Sequence, residues 1–187
     1  MQIQSNLIAK YSNSPVYANG INQSGELSKK IQFLISQLGQ GVEYPNENRN
    51  YCIYNEERTG EIVNLGEEAL PYLENFLKTA DTEEKILDAL QILDKMLDKG
   101  VKGIDKMYPV LSKFNDTSSP NVQVMLAGIY RKTLVPDAFG PLAKMLIKQS
   151  FNPNSQFFDP TEEIGGAILE YIRCKSAVNT YQNNVSK

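Results

Sequence analysis

From Leu65 onward the sequence repeats one arrangement three times: a short helical segment marked by a proline, a turn, and a longer aliphatic helical run. The first members are ALPYLENFLK (69–78), MYPVLSKFND (107–116) and FGPLAKMLIK (139–148), whose prolines Pro71, Pro109 and Pro141 lie 38 and then 32 positions apart. The second members are TEEKILDALQILDKML (82–97), PNVQVMLAGIYRKTL (120–134) and PTEEIGGAILEYIRCKS (160–176). Apolar residues recur at helical spacing, as with Leu70, Leu73, Phe76 and Leu77 in the first segment. A helical hairpin of this length has an apolar face that it cannot bury alone, and stacking successive hairpins joins those faces into a continuous core. The pattern therefore predicts an all-α fold.

The second helices have consistent entries. Asp81 is placed to cap the first, with Glu84 three residues on; Ser119 precedes Pro120 at the first helical position; Asp159, Pro160 and Glu162 repeat that chemistry. Upstream, SKKIQFLISQLG sets Ile31, Leu34, Ile35 and Leu38 on one helical face, with Ser28 as N-cap and Gly39 as stop. This predicts a capping helix over 28–39. Residues 40–64 are polar and interrupted by Gly41, Pro45 and Gly60; within them YCIY suits a short strand and ERTGEIVN a degenerate helix. Residues 1–27 hold too few aliphatics to offset the entropy of ordering and read as a flexible tail, and 179–187 read as a frayed one. The expected plan is a single helical repeat domain over 28–178 with hairpins at 65–99, 103–134 and 137–176.

LGEEALPYLENFL, with its internal proline, resembles the first helix of a HEAT repeat, and the resemblance extends over about residues 61–176. It implies a short right-handed α-solenoid of about three HEAT-like helical hairpins behind an N-terminal capping helix; an irregular helical bundle is the structural alternative. The typical Asp and Arg positions of HEAT repeats are only partly present. In solenoids resembling these repeats the second helices line the concave, partner-binding side. On helix 82–97 the expected apolar face is Ile86, Ala89, Leu90, Leu93 and Leu97, which leaves Glu84, Asp88, Gln91, Lys95 and Asp98 on the opposite stripe. Equivalent exposed positions are Gln123, Ala127 and Arg131, then Glu163, Glu170 and Arg173. The residues expected to touch a protein partner are Asp88, Gln91, Lys95, Asp98, Gln123, Arg131, Glu170 and Arg173.

The chain has no histidine, which excludes Ser-His-Asp and Cys-His catalysis, paired-His zinc sites and Cys2His2 fingers. Cys52 and Cys174, 122 positions apart, form neither a redox pair nor a metal set. The acid pairs Glu67 and Glu68, Glu83 and Glu84, and Glu162 and Glu163 all sit in first helical turns, where the helix dipole favours negative charge. The expectation is a non-catalytic interaction or scaffold module with no cofactor and no metal. A net charge of −3 speaks against a general phosphate-binding surface, yet the charge is uneven. Residues 65–99 carry four lysines against nine carboxylates, net −5, whereas 100–150 carry six lysines and Arg131 against three aspartates, net +4. Two alternatives follow. One is nucleic-acid binding by Lys102, Lys106, Lys113, Arg131, Lys132, Lys144 and Lys148; the other is a HEAT-like helper or lyase acting on a small molecule through carboxylates such as Glu170, tyrosines or Cys174, without any imidazole. No stretch approaches the roughly 18 to 20 apolar residues that cross a bilayer, and the start has a single charge, Lys10, and no apolar run of the secretory kind. The expected location is cytoplasmic, away from membranes.

Overall fold

Among the described residues the backbone is organised into α-helices joined by turns and short 3-10 segments. The computed structural model describes residues 22–40, 56–150 and 160–185, and no strand occurs among them. By compactness the chain divides into two units, 1–30 and 31–187. Helix α1, Asn22–Ser36, begins ahead of Ser28, which lies inside it and is not its cap. Residues 22–27, expected as tail, are helical because Gln23, Glu26 and Leu27 are good helix formers with no proline among them. In the second unit Ile31, Leu34, Ile35 and Leu38 are all buried, as their spacing predicts. The chain leaves α1 through Gly39 at φ +74°, a left-handed conformation natural to glycine.

Helix α2, Glu56–Leu65, coincides with ERTGEIVN and buries Ile62 and Val63; the YCIY segment lies outside the described residues. A 3-10 turn, Gly66–Ala69, leads into α3, Leu70–Thr79, whose Pro71 occupies the first turn, where an amide proton has no helical acceptor. Helix α4 spans Glu83–Asp98. Its cap is Thr82 and not Asp81: Thr82 has the extended backbone an N-cap requires and accepts from the Lys85 amide. Asp81 instead pairs with Lys85 at 2.6 Å, and that hydrogen bond lowers its carboxyl pKa. At the far end the Gly100 amide donates to the Leu97 carbonyl and the Val101 amide to Met96, both at 2.9 Å, closing α4 with a Schellman motif.

The second pair departs most from regularity. Its first member contains one α turn, α5 (Tyr108–Leu111), between the 3-10 segments Ile104–Met107 and Ser112–Phe114. The Ser112 hydroxyl donates to the Pro109 carbonyl, taking up an acceptor the helix would otherwise use as the chain turns into NDTSS. Helix α6, Pro120–Thr133, starts as expected, with Ser119 accepting from the Val122 amide. A 3-10 turn, Pro136–Ala138, precedes α7, Phe139–Ser150. Helix α8 runs Pro160–Val185, so its backbone stays helical into the expected C-terminal tail; Asp159 lies outside the described residues.

Within the second unit α4 packs on α2, α3 and α6; α6 packs on α8; α7 pairs with α8; and α3 touches α5. The helices α2, α4, α6 and α8 thus contact one another in chain order. The position of α4 explains a departure from the one-sided stripe expected of it. Ala89, Leu90 and Leu93 are buried, but so are Leu87, Ile92 and Met96, while Ile86 and Leu97 are only half-buried. Neighbours on several sides cover more than a single face, and each large aliphatic so buried contributes about 1.5 to 3 kcal/mol of transfer free energy.

Candidate partner-binding face

Where α4, α6 and α8 meet at the surface, charged side chains bridge them. Lys132, in the last turn of α6, extends its ammonium to α4, 2.8 Å from Asp94 Oδ1 and 2.7 Å from Asp98 Oδ1. The two acids are four residues apart and so share a helix face, forming a fork for one cation. Burial disfavours the Lys132 charge, but hydrogen bonds and the field of Asp94 and Asp98 outweigh it and raise its pKa. Arg131 is rotated about 100° around α6 from Lys132 and faces the other neighbour. Its Nη2 lies 3.0 Å from Glu163 Oε1 on α8.

Gly128 makes room for this arrangement. A Cβ there would stand 3.5 Å from Asp94 Oδ1 and 3.8 Å from Glu163 Oε1, so carboxylates from both flanking helices approach the bare backbone of α6. Gly166 on α8 does the same for Arg131, whose Nη1 would lie 3.6 Å from a Cβ. At the opposite end of α6 the Ser119 hydroxyl donates to Glu83 Oε1 at 2.6 Å while its oxygen caps the helix. Polar contacts therefore join α4 to α6 at both ends, and one joins α6 to α8.

The eight expected contact residues divide into three groups. Asp98 and Arg131 belong to the bridges, and Lys95 is exposed on α4, three residues before Asp98. Glu170 and Arg173 pair with each other on α8 at 3.2 Å, and the Cys174 thiol donates to Glu170 at 3.7 Å. The remaining three serve the interior in whole or in part. Asp88 is half-buried and accepts the Gly39 amide at 2.7 Å, tying the end of α1 to α4. Gln91 is half-buried, and its Oε1 is buried with no hydrogen-bond partner among the described residues.

Gln123 is 2% exposed, so its expected surface position is corrected, as is that of the fully buried Ala127. The cause is tertiary: α6 has α4 on one side and α8 on the other, which leaves a narrower outward stripe than a one-sided helix has. The Gln123 amide donates to the Thr117 carbonyl at 2.8 Å and its oxygen accepts from Gln149 Nε2 on α7 at 2.5 Å. Asp94, Lys132 and Glu163, which complete the bridges, are missing from the eight. The available signals were the adjacent Arg131 and Lys132, the four-residue spacing of Asp94 and Asp98, and a glycine in the middle of an aliphatic helix.

Two tyrosines tie α6 and α8 to neighbouring loops. The Tyr130 hydroxyl donates to Asn115 Oδ1 at 2.8 Å and the Tyr171 hydroxyl to the Val135 carbonyl at 2.7 Å. Burial raises both phenols, Tyr171 to about 12. Tyr51, Cys52 and Tyr54 lie outside the described residues. Among the described residues no group of three or more Cys, Asp and Glu is placed to hold a metal ion, and no helix is long and apolar enough to cross a membrane. Compared with protein-family models, curated proteins and solved structures, the chain matches none.

Proposed function

We propose that this chain is a non-catalytic protein-interaction module, a short α-solenoid of HEAT-like hairpins that binds a protein partner on the face formed by α4, α6 and α8. The observation that carries the reading is the contact of the second helices in chain order, with Lys132 and Arg131 bridging outward from α6 to both neighbours. Repeat arrays behave this way: each unit meets its neighbours, and one helix from each contributes to a shared surface. Exposed positions on that surface include Glu84, Lys95, Asp98, Lys132 and Arg173. They mix both signs, which favours a partner with complementary side chains over a uniform polyanion.

Nucleic-acid binding is disfavoured by the same contacts. Arg131 and Lys132 are neutralised by Glu163, Asp94 and Asp98, which removes two of the seven cations that reading relies on. The test is capture from native lysate with three versions of the full chain: wild type, Lys95→Glu with Arg173→Glu, and Lys106→Glu as an exposed control outside the face. A protein held by the wild type and the control but lost by the double variant supports the reading. Equal capture by all three sinks it, and capture abolished by nuclease transfers the assignment to nucleic acid.

A further inference from the structure

Helix α8 has a second surface, turned away from α6. Leu169 and Ile172 stand 66% and 50% exposed there, and three residues apart they share a face. Toward the N-terminus the face continues through Gly165 and Glu162, giving spacings of 3, 4 and 3, the pattern of a helix-pairing seam. The half-buried Ile168 and the exposed Lys175 border it. The opposite side of α8 is already used, since Ile164 and Ala167 are buried. Gly165 forms a notch: a Cβ there would meet nothing within 4 Å. The row α2, α4, α6, α8 therefore ends on an exposed apolar seam with a charge of opposite sign at each end, Glu162 and Lys175.

We propose that this seam binds a second copy of the chain, α8 against α8 in antiparallel orientation. Pairing about the point midway between Ile168 and Leu169 sets Glu162 opposite Lys175 of the second copy, Ile172 opposite its Gly165, and Leu169 opposite its Ile168. Two-fold symmetry repeats each contact, so opposite charges meet at both ends, Ile172 of each copy enters a glycine notch, and aliphatic side chains meet at the centre. Parallel pairing sets Glu162 on Glu162, Lys175 on Lys175 and Ile172 on Ile172. It gains nothing at Gly165. A foreign helix carrying one sign of charge matches only one end of the seam, whereas a second copy matches both. One helix pair is a small interface, so the association is weak, with a dissociation constant of roughly tens of micromolar.

The test is sedimentation velocity with light scattering on the full chain between about 1 and 200 µM, a range that brackets that constant. The expected result is a reversible monomer–dimer equilibrium that Leu169→Lys weakens at least about tenfold. Glu162→Lys and Lys175→Glu each oppose like charges and weaken it, and the two together restore it. Circular dichroism on every variant confirms that these surface changes leave the helices intact. A monomer at all concentrations overturns the proposal and leaves the seam to a different occupant. Dimerisation indifferent to Leu169→Lys, or a charge swap without rescue, overturns it as well.

Discussion

Gln123 separates a structural role from a binding role more sharply than any other position. It was expected on the partner face, yet its side chain is buried, with its amide on the Thr117 carbonyl and its oxygen on Gln149. Gln123→Leu keeps the volume and removes both interactions. Each hydrogen bond contributes about 0.5 to 1.5 kcal/mol net, and orphaning a partner costs up to its desolvation penalty of about 1 to 3 kcal/mol. Thr117 and Gln149 are half-buried, so water partly relieves them, and the added apolar surface of leucine offsets some of the rest. The expected loss is about 2 kcal/mol, measured by urea unfolding followed by circular dichroism. Changing Gln149 to Leu as well removes the orphaned donor and should recover about 1 kcal/mol, a coupling that distant, independent sites do not show. If Gln123→Leu stays within about 0.5 kcal/mol of wild type, the buried network is refuted. Lost partner capture at unchanged stability would return Gln123 to the binding face.

Leu93→Ala, at a fully buried position on α4, should cost about 2 to 5 kcal/mol in the same assay; a loss under about 0.5 kcal/mol contradicts the packing of this helix. Gly39→Ala places a side chain at φ +74° and drives its Cβ to 3.2 Å from Lys85 Cα. The left-handed backbone alone should cost about 1 to 2 kcal/mol, and Lys85→Ala should recover only the part due to the collision. Alkaline pH should unfold the chain cooperatively. Tyr130 and Tyr171 hold their protons more tightly when folded, so stability is intact below the unfolded phenol value near 10 and falls as pH rises toward about 12, the folded value of Tyr171. Lys132, whose folded pKa is also raised, acts in the same direction. Phenolate absorbance and helix content recorded together test this; full ionisation of all ten tyrosines with helix content unchanged would disprove it.

The helices were legible because their signals are local. Pro71 and Pro120 mark first turns, Ser119 caps, Gly39 stops, and aliphatic spacing buries Ile31, Leu34, Leu73, Leu90 and Leu93. Other features depend on competition or on distant partners. Asp81 and Thr82 are both capable caps, and the extended backbone at Thr82 decided between them while Lys85 claimed the acid. The fragmentation around α5 turns on a serine bonding back to Pro109 in a segment with little α-helix left to extend. The burial of Gln123 depends on Gln149, 26 positions away, and on the helices that enclose α6. The bridges from Lys132 and Arg131 needed the rotational phase of three helices relative to one another, which no single amphipathic stripe contains.

The two proposed surfaces make opposite demands on salt, which allows them to be told apart on one chain. The α4–α6–α8 face is polar, but Arg131 and Lys132 are already engaged by Glu163, Asp94 and Asp98. A partner's charges meet the exposed Glu84, Lys95 and Arg173, the last of which also pairs with Glu170 on its own helix, and pairs of that kind weaken as salt shortens the screening length from about 10 Å at 0.1 M to about 3 Å at 1 M. The α8 seam is apolar at its centre, with charge only at Glu162 and Lys175. Excluded salts such as sulfate strengthen apolar burial, so self-association there should survive or tighten under conditions that strip a partner from the other face. A dimer that dissolves in sulfate alongside the captured partner would mean that both contacts are electrostatic, and the division of α8 into a polar side and an apolar side would fail with it.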